Sequence, residues 1–298
     1  MPGRESIRAH LRNMAERHLV TAASEGYELL DSGDHEKLER WGGVVTARPD
    51  TQAIWTKQDA ARWENASARY SFENGKGAWK TTGTIPEPWL VRMNDLALSA
   101  KLSSIKHTGI FPEQAPNWDW ATDRIASLQS PEVLNLFGYT GAASVSAAKA
   151  GAKVTHVDSS KAAITWTAEN AKLSGLPDDA LRLIGEDARS FVKRELKRGT
   201  KYDGIILDPP AFGRGGKGEV WKIEEDLLPL LQSLKELLSE KPGTFFLLNG
   251  YAAGYSPLSF KQLVDSVFGE VDADYGELRI KETSGRELPC GMYVRFAR

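Results

Sequence analysis

From about residue 131 to its end, the chain alternates short apolar runs with helix-patterned segments, and this restricts the possible folds more than any other feature. Strands are expected over 133–137, 153–158, 181–184, 204–208, 244–248, 277–280 and 292–296. Ser160 can cap a helix running to about Leu173, with Gly175 as its stop. Residues 224–239 are leucine-rich at helical spacing. Ser256-Pro257 opens another helix, with Leu263, Val264 and Val267 inward and Gly269 as the stop. Strands interleaved with helices need a largely parallel sheet covered on both faces. Such sheets bind ligands beyond the carboxyl ends of their strands, so the informative residues are those just after each run.

The segment before residue 125 reads differently. It holds Trp41, Trp55, Trp63, Trp79, Trp89, Trp118 and Trp120, with short runs broken by turn residues, as expected for a smaller β-rich domain. Its tryptophans can stack on exposed bases, but such residues are more often core. The first 20 or so residues look helical, with Ile7, Leu11, Met14 and Leu19 near one face. The expected division is 1–125 for the β-rich domain and 126–298 for the α/β domain.

Acidic and basic residues nearly cancel, for a net charge of −2, on both sides of residue 125. Neither part is a basic nucleic-acid module by bulk charge, so any RNA contact must come from a local patch. The single cysteine, Cys290, excludes an internal disulfide and a cysteine-based metal cluster. No apolar run is long enough to cross a bilayer, and the N-terminus lacks a secretory pattern. A cytoplasmic protein with no membrane partner and no metal is expected; the oligomeric state stays open.

The strand ends carry the chemistry. Phe137-Gly-Tyr-Thr-Gly141 follows the first strand and leads into a helix of small residues, which lets a ligand approach the backbone. It is neither a dinucleotide fingerprint nor a phosphate loop. Asp158 closes the second strand, where a carboxylate can accept two ribose hydroxyls or help cap the next helix. Asp187-Ala188 follows the third strand, where a carboxylate and a backbone N–H can read adenine. After the fourth come Asp208-Pro-Pro-Ala-Phe212, in which paired prolines hold a carboxylate rigidly and Phe212 can stack on a flat ring. In the following Gly213–Gly218, Arg214 and Lys217 can meet phosphates or belong to a plain surface loop.

Together, Asn135-Leu-Phe-Gly-Tyr-Thr-Gly141, Asp158, Asp187 and Asp208-Pro-Pro resemble the motifs of class I S-adenosylmethionine-dependent methyltransferases. More narrowly they resemble bacterial enzymes that methylate bases of large-subunit ribosomal RNA. The similarity reaches upstream to Lys106-His-Thr-Gly-Ile-Phe-Pro-Glu-Gln114. It implies a Rossmann-like seven-stranded α/β sheet, S-adenosyl-L-methionine as cofactor and ribosomal RNA as partner. Phe137, Gly138, Tyr139, Thr140 and Gly141, with Asn135, would wrap the methionine and ribose. Asp158 would hold the ribose and Asp187 with Ala188 the adenine. Asp208, Pro209, Pro210 and Phe212 would face the transferred methyl, while Thr108, Phe111 and Gln114 close the pocket. Relatives often carry an acidic residue where this chain has Asn135. No cysteine stands in the fourth- or fifth-strand motif, so covalent carbon-5 chemistry is disfavoured and a base nitrogen favoured. The alternatives are a protein or small-molecule acceptor, or a cofactor-binding fold without catalysis.

Overall fold

The structure, a computed structural model, describes residues 16–73, 75–216, 218–251 and 254–298. Most of the expected N-terminal helix lies outside the described residues. Leu19, assigned above to its apolar face, instead begins strand β1 (Leu19–Thr21), which pairs in parallel with residues 278–280. Pairing with a waiting sheet edge overrides the weak local helical pattern here.

The next part is β-rich, as expected. Strands β2 (Tyr27–Gly33), β3 (Glu36–Trp41) and β4 (Val44–Pro49), the short helix α1 (Ala60–Trp63), and strands β5 (Ala68–Glu73) and β6 (Lys76–Thr81) form a five-stranded sheet with one helical turn. Strands β7 (Trp89–Met93) and β8 (Leu96–Ala100) pair as a separate hairpin. Trp41, Trp63, Trp89 and Trp118 are buried, so these four serve the core. A 3₁₀ turn over Pro112–Gln114 leads into α2 (Ala115–Ala126).

The α/β part then runs β9 (Glu132–Leu136), α3 (Ala142–Lys149), β10 (Lys153–Asp158), α4 (Lys161–Leu173), β11 (Leu181–Gly185), α5 (Ala188–Arg198) and β12 (Gly204–Leu207). A ribbon of β13 (Phe212–Arg214) and β14 (Val220–Lys222) brackets the glycine-rich segment that the sequence suggested as loop. The chain finishes with α6 (Ile223–Leu237), β15 (Phe245–Gly250), α7 (Pro257–Phe268), β16 (Asp274–Lys281) and β17 (Glu287–Ala297). The caps behave as their residue types dictate: Ser160 accepts from the Ala163 N–H, Ser256 accepts from the Ser259 N–H, and Gly269 ends α7.

The large sheet has the order β1-β16-β17-β15-β12-β9-β10-β11. The seven expected strands form its body. Strands β15, β12, β9, β10 and β11 are mutually parallel, and β17 runs antiparallel between β15 and β16. The eighth strand, β1, comes from the N-terminal part. One apolar cluster joins Tyr27, Leu29 and Trp41 of the small sheet to Val133, Ile206 and Phe245 of the large one.

Between these apolar groups lies a buried charged pair. Glu39 accepts from Arg48 Nη2 at 2.9 Å and from Tyr27 Oη at 2.9 Å, on adjacent strands. Removing one partner of such a pair strands the other charge. Glu39→Ala is expected to destabilise the fold by about 3–5 kcal/mol, read by chemical denaturation; a loss under about 1 kcal/mol would show that water reaches Arg48 there.

Candidate functional site

The carboxyl ends of β9, β10, β11, β12 and β15 converge on two adjoining cavity lobes, with Phe137 lining both. The first lobe is walled by Gly109, Phe111 and Gln114, the turn 137–143, Asp208 and Asn249. The second is walled by Asp158, Glu186-Asp187-Ala188, Pro210, Arg214 and Trp221. Nearly all the residues singled out from sequence therefore come together around one space.

The turn after β9 is made by left-handed backbone. Phe137 has φ +55°, Tyr139 +49° and Gly141 +86°. Left-handed backbone costs a non-glycine residue about 1–3 kcal/mol, so neighbours must hold the turn in place. They do so from behind. The Gly138 amide donates to the Val157 carbonyl at 3.1 Å, and the Tyr139 amide to Asp158 Oδ2 at 2.9 Å. Thr167 Oγ1 donates to the Tyr139 carbonyl at 2.9 Å, and Asn170 Nδ2 to the Thr140 carbonyl at 2.8 Å. A Cβ on Gly138 would sit 2.4 Å from His156 Cε1, so glycine is required for the turn to lie flat on that ring. Burial drives the His156 pKa down to about 4, so the imidazole is neutral and shares a hydrogen bond with Ser144 Oγ at 2.9 Å. Asn135 Nδ2 donates to the same Ser144 oxygen at 2.8 Å. Asn135 thus lines the cavity and also braces the turn.

Asp158 is held by two backbone donors, Tyr139 N–H and Ser160 N–H, the latter to Oδ1 at 2.8 Å. Each carboxylate oxygen has a second lone pair, so the group still has room for two hydroxyl donors. Burial nevertheless pushes its pKa up. Asp187 is more committed. It caps α5 by accepting from the Ser190 N–H at 3.0 Å and pairs with Arg189 at 3.0 Å. Arg189 in turn reaches Asp226 at 2.7 Å.

Asp208 stands at the end of β12, followed by a buried Pro209 and an exposed Pro210. The Pro210 carbonyl accepts from Trp221 Nε1 at 2.7 Å, which fixes the loop. Asp208 Oδ1 is buried and has no partner among the described residues. Burial, and then the nearby Glu113 carboxylate, raise the Asp208 pKa to about 7. Phe212 lies on the ribbon, largely exposed, with the Arg214 guanidinium 5.9 Å from its ring centroid. It is therefore at the rim of the cavity. Lys217 lies outside the described residues. Thr108 is buried with an unpartnered hydroxyl, beside the Phe111 segment that crosses the cavity.

Sequence reasoning missed several residues. Asn249 lines the first lobe, and Tyr251 accepts from Gln114 Nε2 at 2.7 Å and packs 5.7 Å from Phe111. Glu113 is buried beside Asp208. His156, Ser144 and Thr167 brace the turn. A histidine inside a strand facing a glycine turn was the available signal for that brace. Cys290 is partly buried on β17, and burial holds its thiol well above the usual range. Among the described residues no group of His, Cys, Asp or Glu is arranged to hold a metal ion, and no helix is long and apolar enough to cross a membrane.

A cavity with two carboxylates spaced along it, a flat glycine turn and a helix N-terminus suits a cationic sulfonium ligand that bears ribose hydroxyls and a carboxylate. Comparison with known proteins agrees. An Agrobacterium tumefaciens S-adenosylmethionine-dependent methyltransferase of known structure is 36% identical, with a TM-score of 0.89 over 95% of this chain and 94% of that one. The structure of SMU.776, solved in complex with S-adenosylhomocysteine, superposes with a TM-score of 0.71 over 97% of this chain and 79% of its own, at 22% identity, a likeness of fold. A Bacillus subtilis (strain 168) protein, YwbD, provisionally named a ribosomal RNA large subunit methyltransferase, is 31% identical over 189 residues, 63% of this chain and 46% of its own. Ribosomal RNA large subunit methyltransferase K/L of Shewanella woodyi is 41% identical over 110 residues, 36% of this chain and 15% of its own. The chain thus spans less than half the length of the curated relatives it matches. The family profile described as S-adenosylmethionine-dependent methyltransferase matches residues 47–259, more than half of the chain, and the chain belongs to that family.

Proposed function

We propose that this protein methylates a base nitrogen of ribosomal RNA, using S-adenosyl-L-methionine as donor. The observation that carries the reading is the buried, unpartnered Asp208 Oδ1 at the end of β12, held by a proline pair at the wall of the cavity. When bound, the cofactor supplies an activated methyl group on a sulfonium sulfur, so the protein's task is positioning and charge placement. The turn 137–141 holds the methionine and ribose end, Asp158 the ribose hydroxyls, and Ala188 N–H with Asp187 the adenine. Asp187 is already engaged by Arg189 and its own helix, so the Ala188 amide carries more of that recognition. Thr108, Phe111 and Gln114 close the first lobe. Asp208 accepts an N–H of the acceptor amino group and turns its lone pair toward the methyl. Phe212 and Arg214 at the rim meet the RNA.

RNA as the acceptor rests on the names of the sequence relatives. A nitrogen target rests on the thiol. Cys290 is the chain's only cysteine, and its burial keeps it protonated and a poor nucleophile. The labour divides along the chain: 126–298 hold the cofactor and carry Asp208; Thr108, Phe111 and Gln114 of the first part close over it; and the rest of 1–125 shapes the substrate side. Such an enzyme works in the cytoplasm, where ribosomes are assembled. Mass spectrometry of ribosomal RNA nucleosides, with and without the gene, tests the function; an unchanged nucleoside profile rejects it.

Three variants probe the assignments. Asp158→Ala should weaken cofactor binding by about 1.5–3 kcal/mol, measured by calorimetry, and unchanged affinity would remove Asp158 from the site.

Asp208→Asn should lower single-turnover methylation at least ~100-fold, with cofactor affinity altered less than about tenfold. Because Asp208 ionises near 7 and its protonated form loses the charge and presents an O–H donor to the amino group, wild-type turnover should climb as pH rises through about 7. The asparagine variant should lose that limb; a variant with near-normal turnover would mean that the motif is only a rigid loop.

Cys290→Ser should keep turnover near wild type. Complete inactivity of a folded variant would restore covalent carbon-5 chemistry.

A further inference from the structure

The second lobe is walled on one side by the β13–β14 ribbon, through Gly213, Arg214, Gly215 and Trp221. The same ribbon carries the largely exposed Phe212. Its tip is thinly supported, since a Cβ on Gly216 or Gly218 would meet open space. Its base is held more firmly. The Pro210 carbonyl accepts from Trp221 Nε1, and the Ala211 carbonyl from the Ile223 N–H at 3.0 Å.

A further connection leaves the ribbon at its last residue. The Lys222 N–H donates to Asp226 Oδ2 at 2.8 Å, and Asp226 Oδ1 accepts from Arg189 Nη1 at 2.7 Å. Arg189 then turns back on Asp187, with Nη2 3.0 Å from Oδ2 and Nε 3.4 Å from Oδ1. Its guanidinium lies 5.8 Å from the Trp221 ring centroid. An unbroken run of hydrogen bonds thus joins the ribbon backbone to a carboxylate that lines the lobe.

Local stability does not account for Arg189. It is the second residue of α5, where the helix dipole disfavours a cation. Its side chain is 31% exposed, and an ion pair at such a place adds little by itself. What a guanidinium does supply is a rigid planar fork that fixes two carboxylates relative to each other, which an ammonium cannot do. Asp187 Oδ1 is filled by the Ser190 N–H and Arg189 Nε, whereas Oδ2 keeps one lone pair. An adenine amino group is a donor suited to it.

We propose that Arg189 is a positioning residue that ties the carboxylate meeting adenine to the ribbon carrying the acceptor rim, so that filling the adenine seat stiffens the ribbon. The inference rests on the reading that Asp187 meets adenine. An amino group on Oδ2 fixes the Asp187 carboxylate, which fixes the guanidinium, then Asp226, then the Lys222 amide. The coupling is reciprocal: a looser ribbon must weaken the cofactor by the factor through which the cofactor tightens the ribbon.

Amide hydrogen exchange of the full chain reads the ribbon directly. Saturating S-adenosylhomocysteine should slow exchange at Phe212–Arg214 and Val220–Lys222 at least about tenfold. Saturating 5′-methylthioadenosine, which keeps the adenine and lacks the amino-acid end, should slow it equally. Asp226→Asn breaks the charged bridge at a residue that lines neither lobe, and Arg189→Met removes the bridge. In each variant the ligands should slow the ribbon less than about twofold, and S-adenosylhomocysteine should bind about 3- to 10-fold more weakly by calorimetry. Asp226→Asn spares the cap of α5 and decides the matter should Arg189→Met not fold.

A bridge that only packs α5 on α6 would speed exchange in free and bound protein alike and leave the ligand effect whole. That result overturns the proposal. So does a wild-type ribbon that responds to neither ligand, or to S-adenosylhomocysteine alone. Calorimetry on Asp187→Ala tests the underlying reading separately. Unchanged affinity for 5′-methylthioadenosine takes Asp187 out of the adenine seat and rejects both. Weakened affinity with an unresponsive wild-type ribbon keeps the adenine reading and rejects the role of Arg189.

Discussion

The site depends on how a strained turn is held flat against the sheet. Phe137 and Tyr139, on either side of Gly138, adopt left-handed backbone that neither residue type favours. The penalty is offset by hydrogen bonds from β10 and α4 and by a neutral histidine packed directly under Gly138. Were His156 charged, its burial would cost far more than the turn gains. Its low pKa is thus part of the same arrangement. With the turn in place, Phe137 is fixed between the two lobes, 4.8 Å from the Trp221 ring, with Asp208 lining one lobe and Asp158 the other.

Much of this was legible in the sequence, because parallel sheets put their ligand residues in a fixed place. Each motif picked out after a strand, from Phe137 to Asp208, lines the cavity or the loop beside it. Helix caps at Ser160, Ser256 and Gly269 were equally readable, since capping depends on one side chain and a short span of backbone. What escaped the sequence was everything set by distant pairing. β1 is only three residues long, and no local pattern can announce a strand whose partner lies more than 250 residues away. The Asn117, Gln114, Tyr251 and Asn249 chain is invisible for the same reason. Each is an ordinary polar residue until the fold brings α2 against β15.

Glu113 shows where motif reading stops short. Phe111 and Gln114 are picked from the crossing segment, whereas the glutamate between them carries no signal of its own in the sequence. The 3₁₀ geometry turns it inward, and Thr21 of the added edge strand holds that turn through the Pro112 carbonyl at 3.1 Å. The eighth strand and the buried carboxylate are thus parts of one construction: an N-terminal element pins the turn that carries Glu113 into the interior.

For the proposed RNA substrate, the near-neutral charge of the chain limits long-range attraction. The buried charges of the small sheet are mutually paired, Glu39 with Arg48 and Asp50 with Lys37, so they add little to the bulk field. A substrate held by long-range attraction would need a basic surface. This wall instead offers short-range, directional groups in a desolvated cavity, where a mismatched hydrogen bond costs far more than at the surface. In that proposed role the exposed Phe212 and Arg214 would offer the rest of the strand a flat ring for stacking and one cation for a phosphate. Discrimination would then be made in the cavity and loose capture at its mouth, which lets a chain with a net charge of −2 choose a base without holding the whole nucleic acid tightly.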